Sequence, residues 1–245
     1  MAIVKTEKLT KVYGKGEAAV RALNGVDLSL EEGEFVAVMG PSGCGKSTLL
    51  HLIGGLDRPT SGRVIVEGRD FAELNDRELT ELRRRKIGFV FQFYNLLPVL
   101  GAAENAALPL VLDGVRPSVA QEKAELWLKT LGMADRARHR PDQLSGGQQQ
   151  RVAIARALAS EPSLILADEP TGNLDSRAGD EIAALLRRAS RDWGRTVLMV
   201  THDPRMASNA NRIIFLKDGS IVDEAVLDGR GKGEEKMVRR RMESL

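Results

Sequence analysis

Five apolar residues, Phe35–Met39, run without a break into GPSGCGKST, residues 40–48, and a helix-forming stretch follows over residues 47–53. A short strand that is apolar at every position has to be covered on both faces, as happens in the mostly parallel sheet of an α/β protein. The loop fits the spacing GxxxxGK[ST] in the strand-to-helix setting that this motif requires. Its glycines, Gly40, Gly43 and Gly45, let the backbone wrap around an anion. The N–H groups of Ser42, Cys44 and Thr48 and the helix N-terminus then face negative charge, with Pro41 completing the loop. In that arrangement Lys46 contacts the β- and γ-phosphates of a nucleotide and Ser47 ligates Mg²⁺. A Gly-rich turn with no ligand is the competing reading, and the Lys46-Ser47 pair argues against it. Cys44 has two readings: a thiolate favoured by inward N–H groups, which nucleotide would protect from alkylation, or an inert small residue.

The remaining chain alternates in the same style. Residues 3–9 and 22–30 are β-like and separated by Gly-containing turns, and residues 63–67 and 88–92 read as further strands. Over residues 118–133 the pattern becomes helical. Ser118 and Gln121 stand at capping-box spacing, and Ala120, Ala124, Trp127, Leu128 and Leu131 lie along one face. Beyond a helix starting near Ser145 come an apolar strand, Leu164–Asp168, a helix over about 177–191, and strands over Thr196–Val200 and 212–216. The expected architecture is an α/β P-loop NTPase core with a mostly parallel sheet, an N-terminal antiparallel β subdomain and a small helical subdomain over about residues 93–160. The core domain should span residues 1–227. From residue 228 the sequence is charged, contains Gly and has no sustained apolar period, so a mobile tail is expected over 228–245. Its Arg239, Arg240 and Arg241 either touch anionic lipid or are simply solvated.

Leu164–Asp168 ends in Asp168-Glu169, which puts two carboxylates at the carboxyl end of a buried strand, where ligands bind in open α/β sheets. Asp168 can hold Mg²⁺ directly or through water, and Glu169, one residue farther, can accept a proton from an attacking water. His202 follows the apolar strand Thr196–Val200 and reaches the same edge. Gln92 ends another strand there, with a carboxamide available to Mg²⁺ or water; alternatively it is a surface glutamine.

With 36 Lys and Arg against 34 Asp and Glu, the formal net charge is only +2, which gives no electrostatic case for nucleic acid as a partner. One cysteine excludes an intrachain disulfide and a Cys-rich zinc site; with no signal-like N-terminus, a reducing cytoplasmic setting is expected. The longest apolar-looking stretch, residues 96–112, is broken by Pro98, Glu104, Asn105 and Pro109, short of the ~18 residues of a spanning helix. Any membrane work would have to pass through a docked partner.

The segment LSGGQ, residues 144–148, takes its place after these motifs. Ser145 can cap the following helix while Gly146 and Gly147 leave backbone N–H groups uncovered, an anion site at a helix N-terminus. In this order and spacing the chain resembles the ATP-binding-cassette ATPases over about residues 3–223. The resemblance implies that Tyr13 stacks on adenine, that Gln92 begins the glutamine loop, and that Asp175, in Asn-Leu-Asp where many relatives have Ala-Leu-Asp, belongs to the aspartate loop. For Tyr13 an edge-strand aromatic remains an open alternative. It also implies a head-to-tail homodimer in which Ser145, Gly146, Gly147 and Gln148 of one copy close over ATP held by the other. Glu169 would then activate water while Lys46, Mg²⁺ and His202 stabilise developing charge.

FVFQFYNLLP over residues 89–98, with Glu104-Asn105, LPL over 108–110 and TGNLDS over 171–176, is similar to the lipoprotein-release, macrolide-export and cell-division branch. That similarity implies an integral membrane permease as partner and a peripheral location on the cytoplasmic face of the cell membrane. Residues 93–100 would line the groove for a permease helix or else form subdomain core. Two alternatives remain: a soluble cassette acting on DNA or ribosomes, disfavoured by a single cassette with no heptad stretch, and transmembrane signalling without transport.

Overall fold

A computed structural model describes residues 2–227 and 232–244. Strands β1 (Ala2–Tyr13), β2 (Val20–Glu31), β4 (Ser61–Val66) and β5 (Arg69–Asp70) form an antiparallel four-stranded sheet in the order β2-β1-β4-β5. The second sheet has six strands: β3 (Phe35–Met39), β6 (Ile87–Phe91), β7 (Leu164–Asp168), β8 (Thr196–Val200), β9 (Arg212–Lys217) and β10 (Ser220–Val226). Their order is β10-β9-β3-β8-β7-β6. All neighbouring pairs run parallel except β9 and β10, which a tight turn joins as an antiparallel edge. The fold is thus the α/β class anticipated from the alternating elements.

Period-2 alternation along the central strands divides the interior in two. Val36, Val38, Leu164, Leu166, Leu198 and Val200 point to one side, where α1 (Lys46–Ile53) supplies Leu49, Leu50, Leu52 and Ile53 between the two sheets. Phe35, Ala37, Ile165, Ala167, Val197 and Met199 point to the other side. There they meet α5 (Gly146–Ala159) through Val152, Ile154 and Leu158, and α6 (Ser176–Arg191) through Ile182 and Leu186. α3 (Ala102–Leu112) and α4 (Pro117–Thr130) pack with α5, and an edge-to-face pair, Trp127 with Trp193 at 5.0 Å between ring centroids, ties α4 to the chain after α6.

Several local expectations change. Ser118 does not cap α4: the cap is Arg116, without a side-chain bond, because Pro117 occupies the first helical turn, where its missing N–H costs nothing. A helix not anticipated, α2 (Asp76–Lys86), starts at a capping box in which Asn75 accepts from the Arg77 and Glu78 N–H groups and Glu78 reaches back. The short α7 (Pro204–Ala207) follows His202 directly. The tail also differs from a structureless segment, since Lys232–Glu243 is a helix, α8. Its Met237, Val238 and Met242 repeat at helical spacing and pack on the core, with Val238 fully buried, and Arg241 pairs with Asp223 at 2.7 Å. Residues 228–231 and 245 of the expected tail lie outside the described residues. Among the described residues no helix is long and apolar enough to cross a membrane.

Candidate functional site

Because β3, β8, β7 and β6 are neighbours in that order, the loops leaving their carboxyl ends are neighbours too. The loop after β3 adopts its shape through glycine. Gly45 has φ +104°, and a Cβ there would come within 2.2 Å of the Ala22 carbonyl oxygen. Gly45 caps α1 with no side chain, and the first turn carries no acid, so the helix N-terminus is open to an anion. Lys46 is 9% exposed, and its Nζ donates to the carbonyl oxygens of Gly40 (2.8 Å) and Pro41 (2.9 Å). Lys46 Nζ also donates to Cys44 Sγ at 3.9 Å, and among the described residues it makes no ion pair; a buried ammonium with only neutral partners is a strong attractor for an anion. Ser42, Gly43, Gly45, Lys46, Ser47, Thr48, Ala22 and Glu169 enclose a cavity of about 300 Å³.

Ser47 Oγ donates to Asp168 Oδ1 at 2.9 Å, joining residues 121 positions apart. One hydroxyl and one carboxylate are hard oxygen donors that fit Mg²⁺, an ion that keeps several waters and takes its other ligands from substrate phosphates. Gln92 is placed differently from a third member of that pair: its carboxamide lies against Gly172, where a Cβ would come within 2.8 Å of Nε2. The Asn173 Nδ2 donates to the Gln92 carbonyl oxygen at 3.1 Å, so the asparagine of Asn-Leu-Asp tethers the start of the glutamine loop.

Glu169 has φ +45°, a left-handed conformation that a non-glycine residue keeps only where its surroundings impose it. Its N–H donates to Val200 O (3.0 Å) and its carbonyl accepts from Gly172 N–H (3.0 Å). Both carboxylate oxygens lie 3.0 Å from His202 Nδ1. The structure therefore assembles a carboxylate and an imidazole beside the loop cavity, a geometry able to take and hold a proton.

Tyr13 OH donates to Asp57 Oδ2 at 2.9 Å, and Lys11 Nζ sits 4.8 Å from the ring centroid. Burial and the Asp57 bond raise the phenol's pKa, with the Thr48 hydroxyl pulling the other way. It is a half-exposed ring at the end of β1. The surroundings of Cys44 favour the neutral thiol over a thiolate. The residue is 5% exposed, and burial pushes its thiol pKa up against the opposing pull of Lys46.

The segment from Ser145 lies elsewhere in the chain. Ser145 Oγ accepts from Gln148 N–H at 3.3 Å while Gln148 Oε1 accepts from Ser145 N–H at 2.9 Å, a reciprocal cap on α5. Gly146 is fixed by close approach, since a Cβ would meet Tyr94 Oη at 2.8 Å and Leu174 at 3.2 Å. Asp175 Oδ1 accepts from Ala178 N–H at 2.9 Å and caps α6. Ser145, Gly147 and Gln148 line a separate cavity of about 360 Å³ with Gly132, Arg151 and Glu181. No residue lines both this cavity and that of the phosphate loop.

Sequence reasoning missed His51, whose Nε2 lies 3.6 Å from Asp168 Oδ2. The signal was available: His51 is one helical turn after Ser47 on α1, so the two share a face. Residues 93–100 are mixed in their exposure. Leu96 packs on the core, Phe93, Leu97 and Val99 are exposed, and only Asn95 of this stretch lines the apolar groove of about 590 Å³ formed with Leu56, Phe89, Phe91, Pro109 and Leu112.

A phosphate-binding loop, a hydroxyl–carboxylate pair and a carboxylate–imidazole pair at the edge of a mostly parallel sheet define a P-loop nucleoside-triphosphatase. The comparisons narrow the class: a profile of the ABC transporter family matches residues 23–172, more than half of the chain. The uncharacterized ABC transporter ATP-binding protein MJ0796 of Methanocaldococcus jannaschii is 50% identical over 93% of this chain and 98% of that protein. A solved dimer of the MJ0796 cassette, in a post-hydrolysis state with ADP and Pi, superposes with a TM-score of 0.84 at 49% identity, covering 94% of this chain and all of that one. The macrolide export ATP-binding/permease protein MacB of Hyphomonas neptunium is 48% identical over 91% of this chain but only 34% of its own length. The chain belongs to the ABC transporter family, as one of its ATP-binding cassettes, and its relatives include cassettes of the macrolide-export branch.

Proposed function

We propose that this chain is a nucleotide-binding subunit that hydrolyses ATP at two sites shared between copies of a head-to-tail homodimer and thereby drives a separate membrane permease. One observation carries the reading: the phosphate loop and Glu169 line one cavity, with Asp168 bonded to Ser47 and His202 bonded to Glu169, whereas Ser145, Gly147 and Gln148 line another. Each chain thus offers half of two sites, and a two-fold pairing completes both. The dimer of the MJ0796 cassette supports that arrangement.

In this mechanism Lys46 leaves the loop carbonyls for the β- and γ-phosphates, and Tyr13 stacks on adenine. Ser47, Asp168 and Gln92 would hold Mg²⁺, which would supply charge neutralisation at the phosphates. Glu169 orients a water and takes its proton as the water oxygen bonds to the γ-phosphorus and the bond to the ADP oxygen breaks. His202 keeps the Glu169 carboxylate aimed and meets the developing charge. Loss of phosphate then releases Ser145 to Gln148 of the other copy.

The similarity to MacB supports a permease of the lipoprotein, macrolide or peptide export type, and the cassette would sit at the cytoplasmic face of the membrane through that contact. The apolar groove between Phe89, Phe91, Pro109 and Leu112 suits a permease helix, with Arg83 and Arg84 at its edge. Changing Leu112, which is 64% exposed, to Asp should abolish co-purification of the permease from membranes while leaving ATP affinity unchanged. Undiminished co-purification would rule out this groove as the docking site.

A further inference from the structure

We propose that Gln150 is a positioning residue for hydrolysis, holding the chain segments that carry Gln92 and Glu169 against the helix that begins at Ser145. Gln150 lies on α5 and is fully buried. Its Nε2 donates to the Pro170 carbonyl oxygen at 2.6 Å and to the Phe91 carbonyl oxygen at 3.3 Å. Pro170 follows Glu169, and Phe91 precedes Gln92. One carboxamide therefore reaches the backbone flanking both residues from a helix that contributes neither of them.

The amide orientation follows from chemistry. Two carbonyl oxygens face one end of the side chain, so that end must be the NH₂ group, and the other end, Oε1, is buried without a partner among the described residues. An apolar side chain would remove the orphaned oxygen but would take the donor away from the buried Pro170 carbonyl, whereas the Phe91 carbonyl would keep the Tyr94 N–H at 3.2 Å. The backbone at Glu169 gives the amide its consequence. Glu169 holds its left-handed φ of +45° between three ties: its own N–H to Val200, its carbonyl to Gly172, and the next carbonyl to Gln150. The first two ties come from strand β8 and from the turn itself. Gln150 is the one among these three that belongs to the helix capped by Ser145, so a displacement of that cap would be felt at Glu169 and at Gln92 together. A second anchor on the same helix, Arg156, donates to the Tyr94 carbonyl at 2.7 Å and also to that of Asn95, gripping the far side of the glutamine loop.

The inference rests on Glu169 being the residue that activates water. Q150M fills the same space without a donor. It should lower kcat on the order of tenfold to a hundredfold, the scale of a small misplacement of reacting groups, while ATP affinity, read from a fluorescent ATP analogue, stays at the wild-type value. A merely structural role would lower affinity, melting temperature and kcat together, and that result, or an unchanged kcat, would overturn the proposal. If Q150M does not fold, Q150N, which keeps the carboxamide but draws it back by one bond, carries the same test. The double variant Q150M/E169Q should be no slower than E169Q, because a positioning residue adds nothing once the group it positions is gone; further slowing would overturn the proposal. An E169Q protein that still turns over would remove the underlying reading, whereas a stalled E169Q beside a fully active Q150M would remove only the role of Gln150.

Discussion

Replacing Glu169 by Gln separates chemistry from folding more cleanly than any other single change here. The side chains are isosteric, and a glutamine tolerates the left-handed φ of +45° no worse than glutamate does. What is lost is the proton acceptor. A positioned general base contributes about 10²–10⁴-fold, which at 1.36 kcal/mol per tenfold amounts to roughly 2.7–5.4 kcal/mol of transition-state stabilisation. The fold loses far less. The contact changed is with His202, whose side chain is 69% exposed, so solvent screening limits its worth to about 0–1 kcal/mol. For a chain of this size that is a melting shift of at most ~2–4 °C. Steady-state phosphate release should therefore fall by two to four orders of magnitude, with ATP affinity retained and a stable ATP-bound dimer visible by light scattering. Turnover within tenfold of wild type at an unchanged melting temperature would refute Glu169 as the base. A loss of ATP affinity as large as the loss of rate would refute the separation of binding from chemistry.

Changing Ser145 to Arg removes the cap on α5, at about 1 kcal/mol, and should abolish ATP-driven self-association while the single chain still binds ATP; normal ATPase activity would count against a shared site. Gly45→Ala forces a Cβ to within 2.2 Å of Ala22 O at φ +104°, so a stability loss of at least ~1–3 kcal/mol and a collapse of nucleotide affinity are expected in melting and titration experiments. Because burial raises the Cys44 pKa, the folded chain should alkylate more slowly at neutral pH than the unfolded chain, and faster labelling would contradict the buried thiol. The sign for stability follows: the neutral thiol's contribution is complete below the unfolded pKa and is lost as pH rises through the raised folded value.

How far the sequence alone reached depended on whether a feature is local. Phe35–Met39, Leu164–Asp168 and Thr196–Val200 were legible to the residue, because strands buried on both faces show as unbroken apolar runs, here bounded by Asp168 at the end of one and Thr196 at the start of another. The spacing of GPSGCGKST is likewise a property of one short stretch of backbone, as is the cap that Ser145 makes with Gln148. Where local signals competed, the reading failed: Pro117 overrode Ser118 at the start of α4, and three apolar residues among charges in Lys232–Glu243 did not stand out as a face until α7 and the core were there to bury them.

Encounters between distant side chains were decided by tertiary structure alone. Ser47 meets Asp168, Glu169 meets His202, and Gln150 reaches Phe91 and Pro170 because β3, β8, β7 and β6 lie side by side in that order. Strand order comes from how whole layers pack, and periodicity within a segment carries no record of it. The same packing sets Gln92 against Gly172 and leaves the Ser145 cap lining a cavity of its own. From its motifs the chain could be read as a nucleotide-binding cassette; its tertiary structure determined which of those motifs one copy joins into a single cavity.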